Sequence, residues 1–168
     1  MQIGRTGHPI GVQYFVMSSS FFRRSAILGS VVLGTLAFAA PLVGAASPVG
    51  LWKTVDDKTG QARSHVRISE VAGVLTGRIE LILELDKRDA KCIACDGSKK
   101  NQPISGMTIL EGVRRNRNAT HWDGGNILDP NDGKVYRVRL TPQADDRTLE
   151  VRGYLGPFYR NQYWVRID

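Results

Sequence analysis

The sequence predicts an all-β protein, a small antiparallel up-and-down barrel of about eight strands that follows a cleaved signal peptide. Three observations lead to this prediction. Apolar and polar residues alternate with a period of two through most of the chain after residue 46, without a competing helical period. Turn-forming clusters separate the alternating runs at hairpin spacing. An apolar leader behind a basic pair precedes them all.

The N-terminal segment has the composition of an export signal. Residues 17–46 place the pair Arg23–Arg24 before an apolar run, Ala26–Ala40, that ends in small residues. That run is shorter than the roughly 18 to 20 residues needed to span a bilayer. Residues 1–16 precede a second methionine and lack signal features, so we interpret them as a start-site artefact. We therefore expect a periplasmic or secreted protein with no membrane span in its mature form.

The remaining residues, 47–168, are enough for a single domain with one modest core. The full chain has a net charge of +7, and three of its 23 basic residues lie within residues 1–46. Two short basic runs, Lys99–Lys100 and Arg114–Arg117, lie in polar, loop-like surroundings. A nucleic-acid interface requires a basic face with interleaved aromatic residues. We therefore expect no nucleic-acid partner.

The first half of the domain contains four predicted strands. They are Leu51–Val55, Ala62–Ile68, Val74–Leu83 and Met107–Leu110. Turn residues at Asp56–Gly60 and Glu70–Gly73 separate the first three. In the third strand, Leu75, Ile79 and Leu81 share one face, as a half-buried strand requires. These three residues are candidates for the inner wall of the barrel.

The second half contains four more predicted strands. They are Trp122–Leu128, Tyr136–Leu140, Leu149–Tyr154 and Gln162–Ile167. The polar stretch Glu111–Thr120 precedes them and is expected to be a loop. The sequence DPNDG, Asp129–Gly133, predicts a tight turn because proline presets φ and glycine accepts the left-handed conformation. Tyr136 and Val138 share the inward face of the strand that follows.

Seven motifs appear in order along the domain and carry a family resemblance. They are Gly50-x-Trp52, Asp56-Asp57-x-Thr59-Gly60, Gly77-Arg78-Ile79, Cys92-x-x-Cys95, Pro103-Ile104-x-Gly106-Met107, Trp122-x-x-Gly125-x-Ile127-x-Asp129-Pro130 and Val151-Arg152-Gly153-Tyr154-x-Gly156. This order resembles the exported bacterial domain-of-unknown-function family 2147 (DUF2147), whose members look like small lipocalin-type barrels. The resemblance implies a signal peptide, a lipocalin-like fold and an envelope or secreted location. It implies no particular activity.

The two ends of the domain carry a second resemblance, to the lipocalin barrel itself. Gly50-Leu51-Trp52 is similar to the GxW pattern that opens lipocalins, and Arg166 lies near the C-terminus. In lipocalins such an arginine lies across the tryptophan and closes the barrel base. We therefore interpret Trp52 and Arg166 as a structural cation–aromatic plug.

The orientation of the last two strands is open to two interpretations. By period two, one face of the last strand carries Arg160, Gln162, Trp164 and Arg166. Arg152 and Tyr154 share a face of the preceding strand. If these faces point inward, guanidinium groups beside aromatic rings form a site for a carboxylate. If they point outward, the core contains Val151, Tyr163, Val165 and Ile167, and the apolar character of these residues favours that alternative.

The two cysteines, Cys92 and Cys95, allow three interpretations. A structural zinc site needs four ligands, and a redox dithiol needs a helix N-terminus after a strand. The surrounding sequence supplies neither, so we expect a disulfide that forms after export and clamps the loop Glu84–Ser105. A redox or transient metal role remains as the alternative.

The turn Asp129–Gly133 faintly resembles a calcium loop but lacks the remaining ligands, so we expect no metal and no cofactor.

Ligand binding without catalysis is the predicted function. The candidate contacts are Leu75, Ile79, Leu81, Tyr136, Val138, Arg152, Tyr154, Arg160 and Trp164. We expect a small apolar or amphiphilic molecule, with an anionic headgroup as one option, and Glu84–Ser105 as a candidate lid. The alternative is a filled barrel that acts as an interaction module in the envelope. An enzyme ranks third, because His65 and His121 are scattered and no serine lies in a nucleophile-elbow context.

Overall fold

The computed structural model describes residues 46–168. The residues that we interpret as a start-site artefact, 1–16, and all but the last residue of the predicted signal peptide, 17–46, lie outside these residues. Within residues 46–168, no helix is long and apolar enough to cross a membrane.

Eight antiparallel strands form the domain. They are β1 (Gly50–Val55), β2 (Ala62–Val71), β3 (Val74–Ile82), β4 (Thr108–Arg115), β5 (Trp122–Leu128), β6 (Val135–Pro142), β7 (Thr148–Leu155) and β8 (Phe158–Arg166). Each strand pairs with the next along the chain, and β1 also pairs with β8, so the sheet closes on itself. Closure leaves no full-length edge strand exposed. The predicted all-β up-and-down barrel is confirmed.

Several strands are longer than the sequence predicts, and β4 and β8 gain the most residues. β4 continues to Arg115 through the stretch expected to be a loop, with Glu111 opposite Asn126 on β5. Its polar residues are tolerated because they face solvent, whereas Val113 between them is fully buried. β8 begins at Phe158, directly opposite Leu155, so a two-residue turn joins the last hairpin.

One end of the barrel is closed by a packed plug. The Trp52 ring is fully buried, and its Nε1 donates to the Pro48 carbonyl at 2.7 Å. The guanidinium of Arg166 lies 4.3 Å from the centre of the Trp52 ring and donates three hydrogen bonds of 2.7–2.9 Å to backbone carbonyls. A Cβ at Gly50 would collide with this guanidinium. Gly50 also has a φ of 144°, which residues with a Cβ rarely adopt, so its backbone and the plug both favour glycine at this position of the GxW pattern.

A bulge between β2 and β3 changes which residues of β3 face the core. His65 pairs with Leu81, but the next residue, Val66, pairs with Ile79. The extra residue reverses the alternation, since a shift of one position moves a side chain to the other face of a strand. Leu81 is consequently 40% exposed, and Ile82 takes the inner position with 7% exposure. The inward orientation predicted for Leu81 is wrong.

The outward orientation predicted for the last strand is also wrong. Trp164 is buried beside β7, whereas Tyr163, Val165 and Ile167 are 37–51% exposed. The indole ring offers the largest apolar surface of the strand, so its burial decides which face turns inward. Val151 on β7 is buried as expected.

Candidate functional site

A cavity of about 410 Å³ lies inside the barrel on the mouth side of the plug. Its wall is largely aliphatic and aromatic. The apolar lining residues include Ile79, Ile82, Ile104, Ile109, Ile127, Leu128, Val151 and Trp164. The connections after β1, β3 and β5 surround its opening. This volume and lining fall within the range of small-molecule sites, roughly 300–1,000 Å³.

The predicted contact residues divide into three groups in the structure. Those that line the cavity are Ile79, Tyr136, Arg160 and Trp164. Leu75 and Val138 are buried in the packed core outside the cavity lining. Leu81, Arg152 and Tyr154 lie on the outer side of the wall. A ligand-binding role for any of these residues stays a prediction.

The split between β7 and β8 follows from their register. Arg160 lies opposite Gly153, and Arg152 lies opposite Asn161. Directly opposed residues of an antiparallel pair share a face. Because Gly153 lines the cavity with Arg160, Arg152 must project outward. The two arginines expected to share one site therefore lie on opposite sides of the wall.

Several residues that line the cavity were not predicted from the sequence. Ile82 was hidden by the bulge, and Ile104 lies in a loop without alternation. Ile127 carried a usable signal, because it alternates within the predicted strand Trp122–Leu128. The polar residues Thr54 and Ser64 gave no signal of their own, since hydroxyl side chains are common on both faces of a strand.

Three polar side chains on the wall can orient a ligand. The hydroxyls of Thr54 and Ser64 are 2.9 Å apart, and the Ser64 amide donates to Thr54 Oγ1 at 3.1 Å. Gln162 accepts a hydrogen bond from Trp164 Nε1 at 3.2 Å. Within residues 46–168 the amide nitrogen of Gln162 has no acceptor of its own. A few polar groups in an apolar wall are typical of sites that fix ligand orientation.

Ion pairs surround the mouth of the cavity. Arg63 lies 2.6 Å from Asp56 and 3.7 Å from Glu84, and Lys87 also pairs with Glu84. Backbone amides of Thr59 and Lys58 donate to Asp56, and with Arg63 nearby they hold the pKa of this carboxyl below its usual range. Asp56 is buried and the other three groups are partly exposed, and the four charges largely neutralise one another.

Arg160 is held at the mouth by a bidentate ion pair with Asp57. Its Nε donates to Asp57 Oδ2 at 2.7 Å, and its Nη2 contacts Oδ1. The hydrogen bonds from Arg160 lower the pKa of Asp57, and the same contact raises the pKa of Arg160. The guanidinium is thus already committed to a carboxylate.

This ion pair crosses the seam between β1 and β8. The two strands pair at Trp52–Arg166 and Lys53–Val165, both near the closed end. Nearer the mouth, the Asp57–Arg160 contact joins the first hairpin to β8. Side chains rather than a backbone ladder therefore connect the two sides of the barrel at its open end.

The loop Glu84–Ser105 is ordered by the disulfide between Cys92 and Cys95, whose sulfurs are buried. Cys92 Sγ lies 3.3 Å from the Pro130 carbonyl oxygen. Gly133 packs so closely on the Ala94 carbonyl that a Cβ there would collide with it. The disulfide half of the loop thus rests against the β5–β6 turn. Residues from the rest of the loop, including Glu84, Lys87 and Ile104, contribute to the cavity wall.

Comparisons with known proteins agree with this architecture. The family model for DUF2147, described as an uncharacterized protein conserved in bacteria, matches residues 50–166. The chain belongs to DUF2147. This DUF2147 barrel is similar to protein HP1028 from Helicobacter pylori, which is described as belonging to the lipocalin family. The TM-score is 0.63 at 18% identity, over 73% of this chain and 84% of that one. No curated protein matches the sequence.

The likeness to HP1028 concerns the fold, and it agrees with the lipocalin-like barrel predicted for this DUF2147 protein.

Other carboxylates of the DUF2147 domain accept hydrogen bonds within its turns. Asp129 Oδ1 accepts hydrogen bonds from the backbone and side chain of Asn131, at 3.0 and 2.8 Å. Asp132 accepts from the Lys134 amide and the Tyr136 hydroxyl. Among residues 46–168, no three His, Cys, Asp or Glu side chains converge as a metal site.

Proposed function

We propose that this protein binds a small apolar or amphiphilic molecule inside its barrel, without catalysing a reaction. The observation that supports the proposal is the cavity of about 410 Å³, which has an aliphatic wall and opens at one end. Transfer of an apolar ligand from water into such a site is favourable by roughly 25 cal/mol per Å² of apolar surface buried.

The polar groups favour one orientation of the ligand. Its apolar part would lie against Ile79, Ile82 and Ile127, where the wall is aliphatic. Its polar part would reach Gln162 or the Thr54–Ser64 hydroxyl pair. An anionic headgroup would have to compete with Asp57 for Arg160. We therefore favour an uncharged polar headgroup over the anionic option.

Export is part of the proposal. The leader in residues 17–46 has signal-peptide composition. The buried disulfide between Cys92 and Cys95 is typical of proteins that fold in an oxidising compartment. A periplasmic or secreted protein would meet lipids and small amphiphiles in the envelope.

Native mass spectrometry of the protein purified from its own envelope tests the proposal. We expect a mature chain that starts near Ser47, with both thiols oxidised and with the added mass of a bound small molecule. Loss of the added mass on mild denaturation would show non-covalent binding. A chain that carries no small molecule in any preparation, and that takes up none from an envelope extract, would contradict ligand binding and favour the interaction module.

A further inference from the structure

Arginine and tyrosine side chains are concentrated on the outer surface of strands β6, β7 and β8, away from the cavity. This Arg–Tyr face is defined by Arg137, Arg139, Arg152, Tyr154, Tyr159 and Asn161. The strand register places them in two rows across the sheet, one running through Arg137, Tyr154 and Tyr159, and the other through Arg139, Arg152 and Asn161. The face lies on the opposite side of the wall from the cavity.

Positive charge on this face is only partly compensated. Arg139 lies directly opposite Arg152, and like charges in that position destabilise a sheet. Arg152 pairs with Glu150 at 3.2 Å and donates to Asn161 at 2.8 Å. Within the part of the chain that the structure describes, Arg137 and Arg139 have no carboxylate within 4.0 Å. Among the described residues, the face therefore holds two cations that form no ion pair within 4.0 Å.

Arg139 also has a buried donor without an acceptor. Among the described residues, its Nε is shielded from solvent and makes no hydrogen bond. The pKa of Asp123 lies below its usual range, mainly because of the Asn116 hydrogen bond and then of His121, against the opposing effect of burial, and the charge of Arg139 lowers it by a smaller amount. Asp123 Oδ2 already accepts from Asn116 and His121, at 3.2 and 2.9 Å. Buried, unpaired donors are rare in native proteins, so this nitrogen marks Arg139 as a strained position of the face.

Aromatic rings hold the guanidinium groups in place. Arg139 lies 5.7 Å from the centre of the Tyr154 ring, and Arg152 lies 4.7 Å from that of Tyr159. The two rings are themselves 6.2 Å apart and tilted. Guanidinium groups stacked in this way are pre-organised for planar anions. Tyr159 is 63% exposed, so part of its ring is available to a ligand.

We propose that the Arg–Tyr face binds an acidic glycan, a sugar polymer with carboxylate or phosphate groups. The anionic groups would pair with Arg137 and Arg139, a sugar ring would pack on Tyr159, and sugar hydroxyls would bond to Asn161. Charge complementarity identifies an anion. The amide and phenol groups on this exposed outer face can form hydrogen bonds with a polymer that is rich in hydroxyls. This site is independent of the cavity and of its ligand.

Binding of oligogalacturonate, measured by calorimetry at physiological salt, tests the proposal. We expect Arg137→Gln/Arg139→Gln to weaken binding by about tenfold or more, because charge-assisted hydrogen bonds are lost. The charge-matched control Arg88→Gln/Arg117→Gln changes exposed arginines away from the face and should bind within about twofold of the wild type. Equal losses in the two variants would overturn the proposal in favour of non-specific attraction.

Further probes test the glycan assignment. Neutral maltohexaose should bind at least tenfold more weakly than oligogalacturonate. Tighter binding of an oligoglutamate, or of a single-stranded oligonucleotide of equal charge, would overturn the assignment. Tyr159→Ser removes an exposed ring that stacks on Arg152, leaves Arg137 and Arg139 unchanged, and should weaken oligogalacturonate binding several-fold. It provides a separate test if the double variant does not fold, and wild-type affinity in this variant would exclude stacking on Tyr159.

Discussion

Leu81 and Ile82 are neighbours in the sequence, but they lie on opposite sides of the barrel wall. Adjacent residues of any strand face opposite sides, and the extra residue in β3 opposite His65 and Val66 decides that Ile82, not Leu81, faces inward. Ile82 contributes to the cavity lining, and Leu81 is exposed outside it. The pair therefore offers adjacent positions at which the same substitution should have different effects.

Replacement of Ile82 by Trp should reduce ligand binding, because the larger side chain occupies the cavity. We expect the affinity for the neutral probe N-phenyl-1-naphthylamine to fall about fivefold or more, as measured by fluorescence titration. The matched control, Leu81→Trp, places the same ring outside the wall and should leave the affinity within about twofold. Equal effects of the two changes would contradict binding in this cavity.

The ion pair between Asp57 and Arg160 makes the stability of the folded protein depend on pH. Arg160 holds the pKa of Asp57 below its ordinary value of 3.8. A carboxyl whose pKa is lower when folded than when unfolded stabilises the protein above the unfolded pKa, and this contribution is lost as the pH falls through the folded pKa. The contribution of Asp57 should be constant at neutral pH and decline below about pH 4.

Asp57→Asn should therefore flatten the acid limb of the stability curve. We expect the difference in unfolding free energy between wild type and variant, from urea titrations, to shrink between about pH 5 and pH 2. Asp86→Asn, an exposed change in the β3–β4 loop, serves as the control and should not reproduce this trend. A wild-type-to-variant difference that is independent of pH would contradict the role of the Asp57–Arg160 pair.

At the scale of elements, the disulfide loop and the β5–β6 turn behave as one unit. Ala94, between the two cysteines, provides the carbonyl against which Gly133 packs, and Cys92 touches Pro130. A disulfide that closes so short a loop contributes only about 2 kcal/mol or less through chain entropy. Its larger effect is to fix the loop in the shape that the turn requires.

Gly133→Ala should destabilise the protein more than Gly60→Ala. Both glycines have positive φ, near 71°, so both changes carry a similar backbone cost of about 1 kcal/mol. A Cβ at position 60 meets nothing within 4 Å, whereas at position 133 it collides with the Ala94 carbonyl. We expect an additional loss of at least about 1 kcal/mol in urea unfolding for Gly133→Ala. Equal losses would show that the loop and the turn are not tightly packed.

At the scale of the whole molecule, the barrel has a packed end and an open end. The plug of Trp52 and Arg166 fills the first, and the cavity occupies the second. β1 and β8 pair only near the plug in the part of the chain that the structure describes, so side-chain ion pairs define the mouth. The Arg–Tyr face, which β6, β7 and β8 present to solvent, is a third region and is the proposed glycan site.

Much of this architecture could be predicted from local patterns. Alternation identified all eight strands of an all-β fold, the family resemblance implied a closed barrel, and the GxW pattern led to the contact between Trp52 and Arg166. With only two cysteines in the chain, the disulfide partners were also evident. Four of nine proposed contacts, among them Ile79 and Trp164, line the cavity.

The sequence alone determined the number and order of the strands, because period-two alternation and turn residues act within a few neighbouring positions. The tertiary structure decided which side of each strand faces inward. A bulge reversed the phase at Leu81 and Ile82, and burial of the Trp164 ring oriented β8. It also separated Arg160 from Arg152, since cross-strand register depends on pairing between segments and leaves no trace in either segment by itself.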